Sequence, residues 1–270
     1  MAQSLEAARA ALRSRQGSGA RYDAGNAPAR ELDWARRGTA YFARLLNEIG
    51  DAEFDKPSVL PMVSRRHIIA HIGYHARLLS KIVGWVRSNR DGHLPFNAEV
   101  DLEDVRQQAT LPARALRNLF VHSGVHLDVE WRDLSDAQWD TSAQDRNGQP
   151  IAIRETPCRR ARAIWLHAMD LGAGGRFEDM PPDLVDSLIR EVAGRKSQTA
   201  DCAFSFTDRG KLVTISNDAG ITVSGPAGDV VRWLYGRGAA RNLRHSGGAL
   251  PNDLALHPNL IGVRPNPLDF

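Results

Sequence analysis

The amino-acid sequence predicts an α+β protein, with an N-terminal four-helix bundle followed by a small α+β domain. Three observations lead there. Apolar residues recur at three- and four-residue intervals through four long segments before residue 172, as the buried stripes of helices do. The pattern then shortens into β-like runs separated by turn residues, and the change falls in a stretch rich in glycine and proline.

Residues 1–28 begin with a short Ala/Leu/Arg helical pattern and pass into Gln16-Gly17-Ser18-Gly19-Ala20, which reads as an N-terminal extension. The first bundle helix is predicted from Glu31 to Ile49 by Leu32, Ala35, Phe42, Leu45 and Leu46, with Gly50-Asp51 closing it. Ser64 is a candidate N-cap for a second helix from Arg65 to about Ser88, carrying Ile68, Ile72, Leu79, Ile82 and Val86. Gly92 and Pro95 break the pattern in a loop over 89–97. A third helix spans about Leu111 to Leu134 on Leu116, Leu119, Phe120, Leu127 and Trp131, followed by a polar loop ending at Asn147-Gly148. Thr156 as N-cap and Pro157 as first helical residue open a fourth helix on Ala161, Ile164, Trp165, Ala168 and Leu171, stopped by Gly172, Gly174 and Gly175.

A domain boundary is expected near residue 178, giving a bundle over 29–178, a small domain over 179–245 and an irregular tail over 246–270 with four prolines. In the small domain, Pro181-Pro182 opens a helix through Val192. Strands are expected at Cys202–Phe206, Leu212–Ile215 and Ile221–Ser224, with hairpin-type turns between them, and a last helix at Ala227–Leu234 ends at Gly236-Arg237-Gly238.

Composition excludes several classes of function. With 42% hydrophobic and 25% charged residues the chain is neither disordered nor fibrous, and no run of about 18 apolar residues could span a bilayer. The N-terminus lacks a secretion signal, and two cysteines, Cys158 and Cys202, are too few for a disulfide framework or structural zinc site, so a cytoplasmic location is expected. Thirty-five basic residues against 32 acidic ones alternate without a basic block, which disfavours nucleic acid and leaves an anionic small molecule as the expected partner. Either a monomer or a homodimer is compatible with this.

Histidines carry the chemical signal. His67, His71 and His75 repeat every four residues and share one face of the second helix; His122 and His126 form a similar pair on the third. His167 is embedded in the apolar run Ile164-Trp165-Leu166-His167-Ala168-Met169. Imidazoles at i and i+4 can reach one metal ion when another helix adds ligands, but hydrogen-bonded core and surface histidines satisfy the same spacing. Trp85 continues the line of His71, His75 and Leu78 and is a candidate ligand contact. Cys158 and Cys202 read as small apolar residues.

Four segments together resemble the mycothiol-dependent maleylpyruvate isomerases, within the DinB-like metal-binding four-helix bundles. They are Arg66-His67-Ile68-Ile69-Ala70-His71 with Tyr74, Leu127-Asp128-Val129-Glu130-Trp131-Arg132, Trp165-Leu166-His167-Ala168-Met169-Asp170-Leu171-Gly172, and Gly236-Arg237-Gly238. The resemblance covers about residues 31–240. It implies a thiol-dependent cis–trans isomerase that converts maleylpyruvate to fumarylpyruvate in aromatic degradation by the gentisate pathway. It further implies a divalent metal, zinc in most members, on His71 and His167, and a catalytic role for Arg237 beside His71. Arg237, His75 and Trp85 are the expected contacts for substrate and thiol. One position departs: the family's glutamate ligand, one turn before the helix-four histidine, corresponds to Ala163, whose methyl group cannot coordinate. The third ligand is therefore open, with His75 the candidate and His122 and His126 more distant. The same departure points to a thiol other than mycothiol, such as glutathione or ergothioneine. A thiol S-transferase and a non-catalytic binding protein that has lost the metal site are the alternative functions.

Overall fold

A computed structural model describes residues 7, 11, 22–88, 92–193, 202–214, 220–237 and 242–247. Most of the expected N-terminal extension and C-terminal tail lies outside them. The chain divides into two compact units, Met1–Lys56 with Ser64–His167, and Pro57–Val63 with Ala168–Phe270.

In the first unit, four long helices form where the apolar periodicity places them: α1 (Ala29–Glu48), α2 (Arg65–Arg87), α4 (Ala113–Arg132) and α6 (Thr156–Asp170), the last of which runs on past the end of this unit at His167. Between α2 and α4 lies a further helix, α3 (Leu102–Ala109), in a stretch to which the sequence reading assigns no element. Asp101 caps it by accepting from the Glu103 amide, and only Val105 and Ala109 are buried. The expected polar loop before residue 148 is also more ordered than its composition suggests. It holds a single-turn helix, α5 (Asp136–Trp139), and a hairpin of β1 (Ser142–Gln144) and β2 (Pro150–Ala152). Asp145 shapes that turn by accepting from the Asn147 and Gln149 amides.

The bundle core is apolar and interlocked by a few polar ties. Trp165 donates to the Trp34 carbonyl at 3.0 Å and stacks on Tyr41, joining α6 to α1; Phe42 packs on Phe120, joining α1 to α4. Thr156 does not cap α6 through its side chain. Its hydroxyl donates to Ile153 O and accepts from Trp131 Nε1, fixing the start of α6 against α4.

The second unit contains α7 (Pro182–Ala193), β3 (Cys202–Phe206), β4 (Lys211–Thr214), β5 (Ile221–Gly225), α8 (Ala227–Leu234) and β6 (Arg244–His245). The sheet order is β4-β3-β5-β6, with β3 antiparallel to β4, parallel to β5, and β5 antiparallel to β6. Only the first of the two expected hairpins is formed, because β5 crosses to the far side of β3. Buried Leu184, Val185, Leu188 and Ile189 of α7 and Val230, Val231, Trp233 and Leu234 of α8 supply this unit's apolar core.

Candidate active site

Helical spacing puts His71 and His75 one turn apart on α2, and the bundle packing brings His167 of α6 to them. His71 is 4% and His167 1% exposed. Their rings meet edge to face with centroids 4.8 Å apart, and the His75 ring centroid is 6.3 Å from that of His71. The Nδ1 atom of His75 is buried and has no hydrogen-bond partner among the described residues. Burial, then the positive charge of Arg160, then His71, Arg162 and His167 hold the His75 imidazole well below its ordinary 6.5, so it is neutral at physiological pH.

The other histidines are elsewhere. His67 is half-buried and shares a hydrogen bond of 2.7 Å with Ser64 Oγ, so the expected N-cap hydroxyl engages a ring in place of a backbone amide. His122 and His126 are exposed on α4, and His126 Nε2 lies 3.3 Å from Glu130 Oε1. Trp85 is half-buried and ten residues beyond His75, about 15 Å along the axis, so the structure does not bring it into the histidine group. Cys158 is half-buried.

Sequence reasoning missed Arg160. This residue is 1% exposed, two helical turns before His167 and one before Ala163, on the same face of α6. Its Nη1 donates to the Ile72 carbonyl of α2 at 2.7 Å, while Nε and Nη2 find no acceptor among the described residues. Burial pulls the guanidinium from 12.5 down to about 9, which still leaves it cationic at neutral pH. Its place in a pattern of four arginines between residues 154 and 162 gave no sign of which would turn inward.

Arg237 belongs to the second unit. It is buried, with Nε donating to Asp170 Oδ1 at 2.9 Å, Nη2 to Asp170 Oδ2 at 2.7 Å, and Nη1 to the Tyr235 carbonyl at 2.7 Å. Asp170 is fully buried and was not singled out from the sequence, although it lies in the Trp165–Gly172 segment.

The family model of the mycothiol maleylpyruvate isomerase N-terminal domain matches residues 35–172, just over half of the chain. This chain belongs to that family. Among solved structures, a mycothiol-dependent maleylpyruvate isomerase is 29% identical with a TM-score of 0.71, covering 83% of this chain and 95% of its own. A histidine-to-alanine mutant of a mycothiol-dependent maleylpyruvate isomerase gives the same identity and coverage with a TM-score of 0.72. No curated protein matches. The α+β architecture and its DinB-like helical bundle therefore accord with the family, and no described helix is long and apolar enough to cross a membrane.

The residues present do not fit the divalent metal that the family implies. Among the described residues, no group of three or more His, Cys, Asp or Glu side chains is gathered to hold an ion. Ala163 contributes no donor, and the leading charge acting on His75 is the cationic Arg160. A dication there would face an unneutralised guanidinium. The arrangement instead offers the neutral His75 imidazole beside the positive charge of Arg160, which suits an anion.

Proposed function

We propose that this member of the family is a thiol-dependent cis–trans isomerase acting on maleylpyruvate or a similar unsaturated dicarboxylate in aromatic ring cleavage, with a low-molecular-weight thiol other than mycothiol. Glutathione and ergothioneine are the candidates. The observation that carries this reading is similarity across nearly the whole of a solved mycothiol-dependent maleylpyruvate isomerase, combined with an alanine at position 163, one turn before His167, where the resemblance implies a glutamate.

The chemistry needs no net change of atoms. A thiolate adds to one alkene carbon, forming a C–S bond while the π pair moves into the conjugated carbonyl as an enolate. Rotation about the new single bond follows; the enolate then collapses, the C–S bond breaks, and the thiolate leaves with the trans double bond restored. An imidazole of the His71–His167 pair takes the thiol proton and returns it. Fixed positive charge lowers the energy of both the thiolate and the enolate. Arg237 is paired with Asp170, whose charge it neutralises, and Trp85 carries no part of this scheme.

The test follows maleylpyruvate loss and fumarylpyruvate formation by purified protein with mycothiol, glutathione, ergothioneine or no thiol. Rapid conversion with glutathione or ergothioneine, with the thiol concentration unchanged at the end, is the expected outcome. Conversion with mycothiol alone refutes the choice of thiol. Stoichiometric thiol loss identifies an S-transferase, and no turnover with any thiol leaves a binding protein. Full activity in His71→Ala would remove the imidazole pair from the mechanism.

A further inference from the structure

We propose that the buried guanidinium of Arg160 is the carboxylate anchor of the bundle site, taking one carboxylate of a small organic anion on its Nε–Nη2 edge. The idea rests on the isomerase reading only for the identity of that anion.

The other inward-reaching arginines already have counter-charges. Arg237 is closed on Asp170, Arg87 on Glu130, and Arg36 on Asp23 and Asp128. Arg160 is the exception: among the described residues it makes one hydrogen bond, to a neutral carbonyl, and no ion pair. The two nitrogens left over are the two that share one edge of the guanidinium plane. Two parallel N–H donors on one edge match the two oxygens of a single carboxylate. The same chain displays that match in Arg237, which gives Nε and Nη2 to the two Asp170 oxygens.

A buried unpaired guanidinium is costly to keep, and an anion that binds there recovers the cost. Position 163, three residues along the same face of α6, is alanine and supplies no internal acceptor. Arg160 also forms part of the wall of a cavity of about 260 Å³ between α1, α4 and α6, together with Thr39, Trp131 and Asp128, whose carboxylate is neutralised by Arg36 and Arg132 in the same wall. Ligand sites for drug-sized molecules run from roughly 300 to 1,000 Å³, so a volume just below that range suits a small acid. On the other side Arg160 Nη1 holds the Ile72 carbonyl at 2.7 Å, next to His71 on α2. It therefore adjoins both the cavity and the histidine group.

The carboxylate could come from the substrate or from the thiol, since glutathione and ergothioneine carry one too. The experiment uses calorimetric titration and thermal unfolding of the full chain with maleate, fumarate, glutathione and ergothioneine, each at matched ionic strength with chloride as control. Wild type is expected to bind at least one probe. Arg160→Met should weaken that probe by about tenfold or more, Arg160→Lys by less, because it keeps the charge but loses the fork. Ala163→Glu should also abolish binding by giving Arg160 an internal counter-charge. Loss confined to maleate and fumarate assigns the carboxylate to the substrate; loss confined to the sulfur compounds assigns it to the thiol.

Without ligand, Arg160→Met is expected to unfold at a higher temperature than wild type, a change that a merely structural arginine would reverse. Probe binding by Arg160→Met within twofold of wild type overturns the proposal, as does the failure of wild type to bind any probe. Should Arg160→Met fail to fold, Arg160→Lys and Ala163→Glu decide on the same criteria. Arg160-dependent binding without turnover would refute the isomerase reading and keep the anchor; turnover with Arg160-independent binding would do the reverse.

Discussion

Asp170 and Arg237 illustrate how a residue's role is fixed by what it faces. Their side chains are 0% and 2% exposed and meet through two parallel hydrogen bonds, so neither charge is reached by water. Removing one partner of a buried pair costs about 3–5 kcal/mol because the other is stranded. Arg237→Met is accordingly expected to lower stability by that amount in urea unfolding, whereas Arg237→Met combined with Asp170→Leu recovers most of it. A single variant within about 1 kcal/mol of wild type would show that the pair does not hold this unit together. Activity lost on changing Arg237 must be set against that loss of stability before any catalytic part is given to it. Sequence spacing made His71, His75 and His167 legible, since four-residue repeats and an imidazole in an apolar run are visible one residue at a time. Asp170 and Arg237 are separated by 67 residues, and nothing in either neighbourhood names the other. Arg160 was hidden for a related reason: Arg159, its neighbour, spends its charge on Glu155 one turn away, and only the rotation of α6 decides which arginine faces inward.

At the scale of elements, the long helices were readable because each buries a wide apolar stripe; α2 is expected from Arg65 to about Ser88 and runs from Arg65 to Arg87. Short elements escaped because they bury too little to leave a period. Only Val105 and Ala109 of α3 are buried, and within strands β1 and β2 only Ala143 and Ile151 are, so capping and turn chemistry hold these segments. What the periodicity could not show was how closely the helices approach. Gly73 lies between His71 and His75, and a methyl group there would fall 2.6 Å from Leu119 Cγ of α4. Gly73→Ala is expected to force α2 from α4 at a cost of about 1–3 kcal/mol, read as a lower Tm. Gly124→Ala serves as the contrast, because its added methyl would sit at an ordinary 3.6 Å from Thr39 Cγ2. Inside α4 it should gain up to about 1 kcal/mol from helix propensity. Equal shifts of the two variants would mean that close packing at Gly73 does not position the histidine-bearing helix.

For the whole molecule, the composition change near residue 178 locates where the texture of the chain alters, but the compact units part after His167 and the earlier segment Pro57–Val63 goes with the second unit. That segment lies in sequence between two bundle helices yet belongs to the second unit, and no local pattern could have announced it. Its ties are few and specific. Val59 N donates to the Asp170 carbonyl at 2.8 Å, Ser58 N to the Val63 carbonyl at 2.8 Å, and Gly172 approaches the Val59 side chain. Met62 takes a positive φ of 62° to close the turn, a conformation an L-residue holds only when its surroundings impose it. A fragment ending at His167 keeps residues 57–63 but loses Asp170 and Gly172, so the turn loses those ties and retains its internal hydrogen bonds. Thermolysin is therefore expected to cut such a fragment within residues 57–63 about tenfold or more faster than it cuts the full chain there, because local opening then exposes the segment without unfolding the rest. Equal cleavage rates would show that the segment is held by the first unit, and the division of the chain at His167 would have to be redrawn.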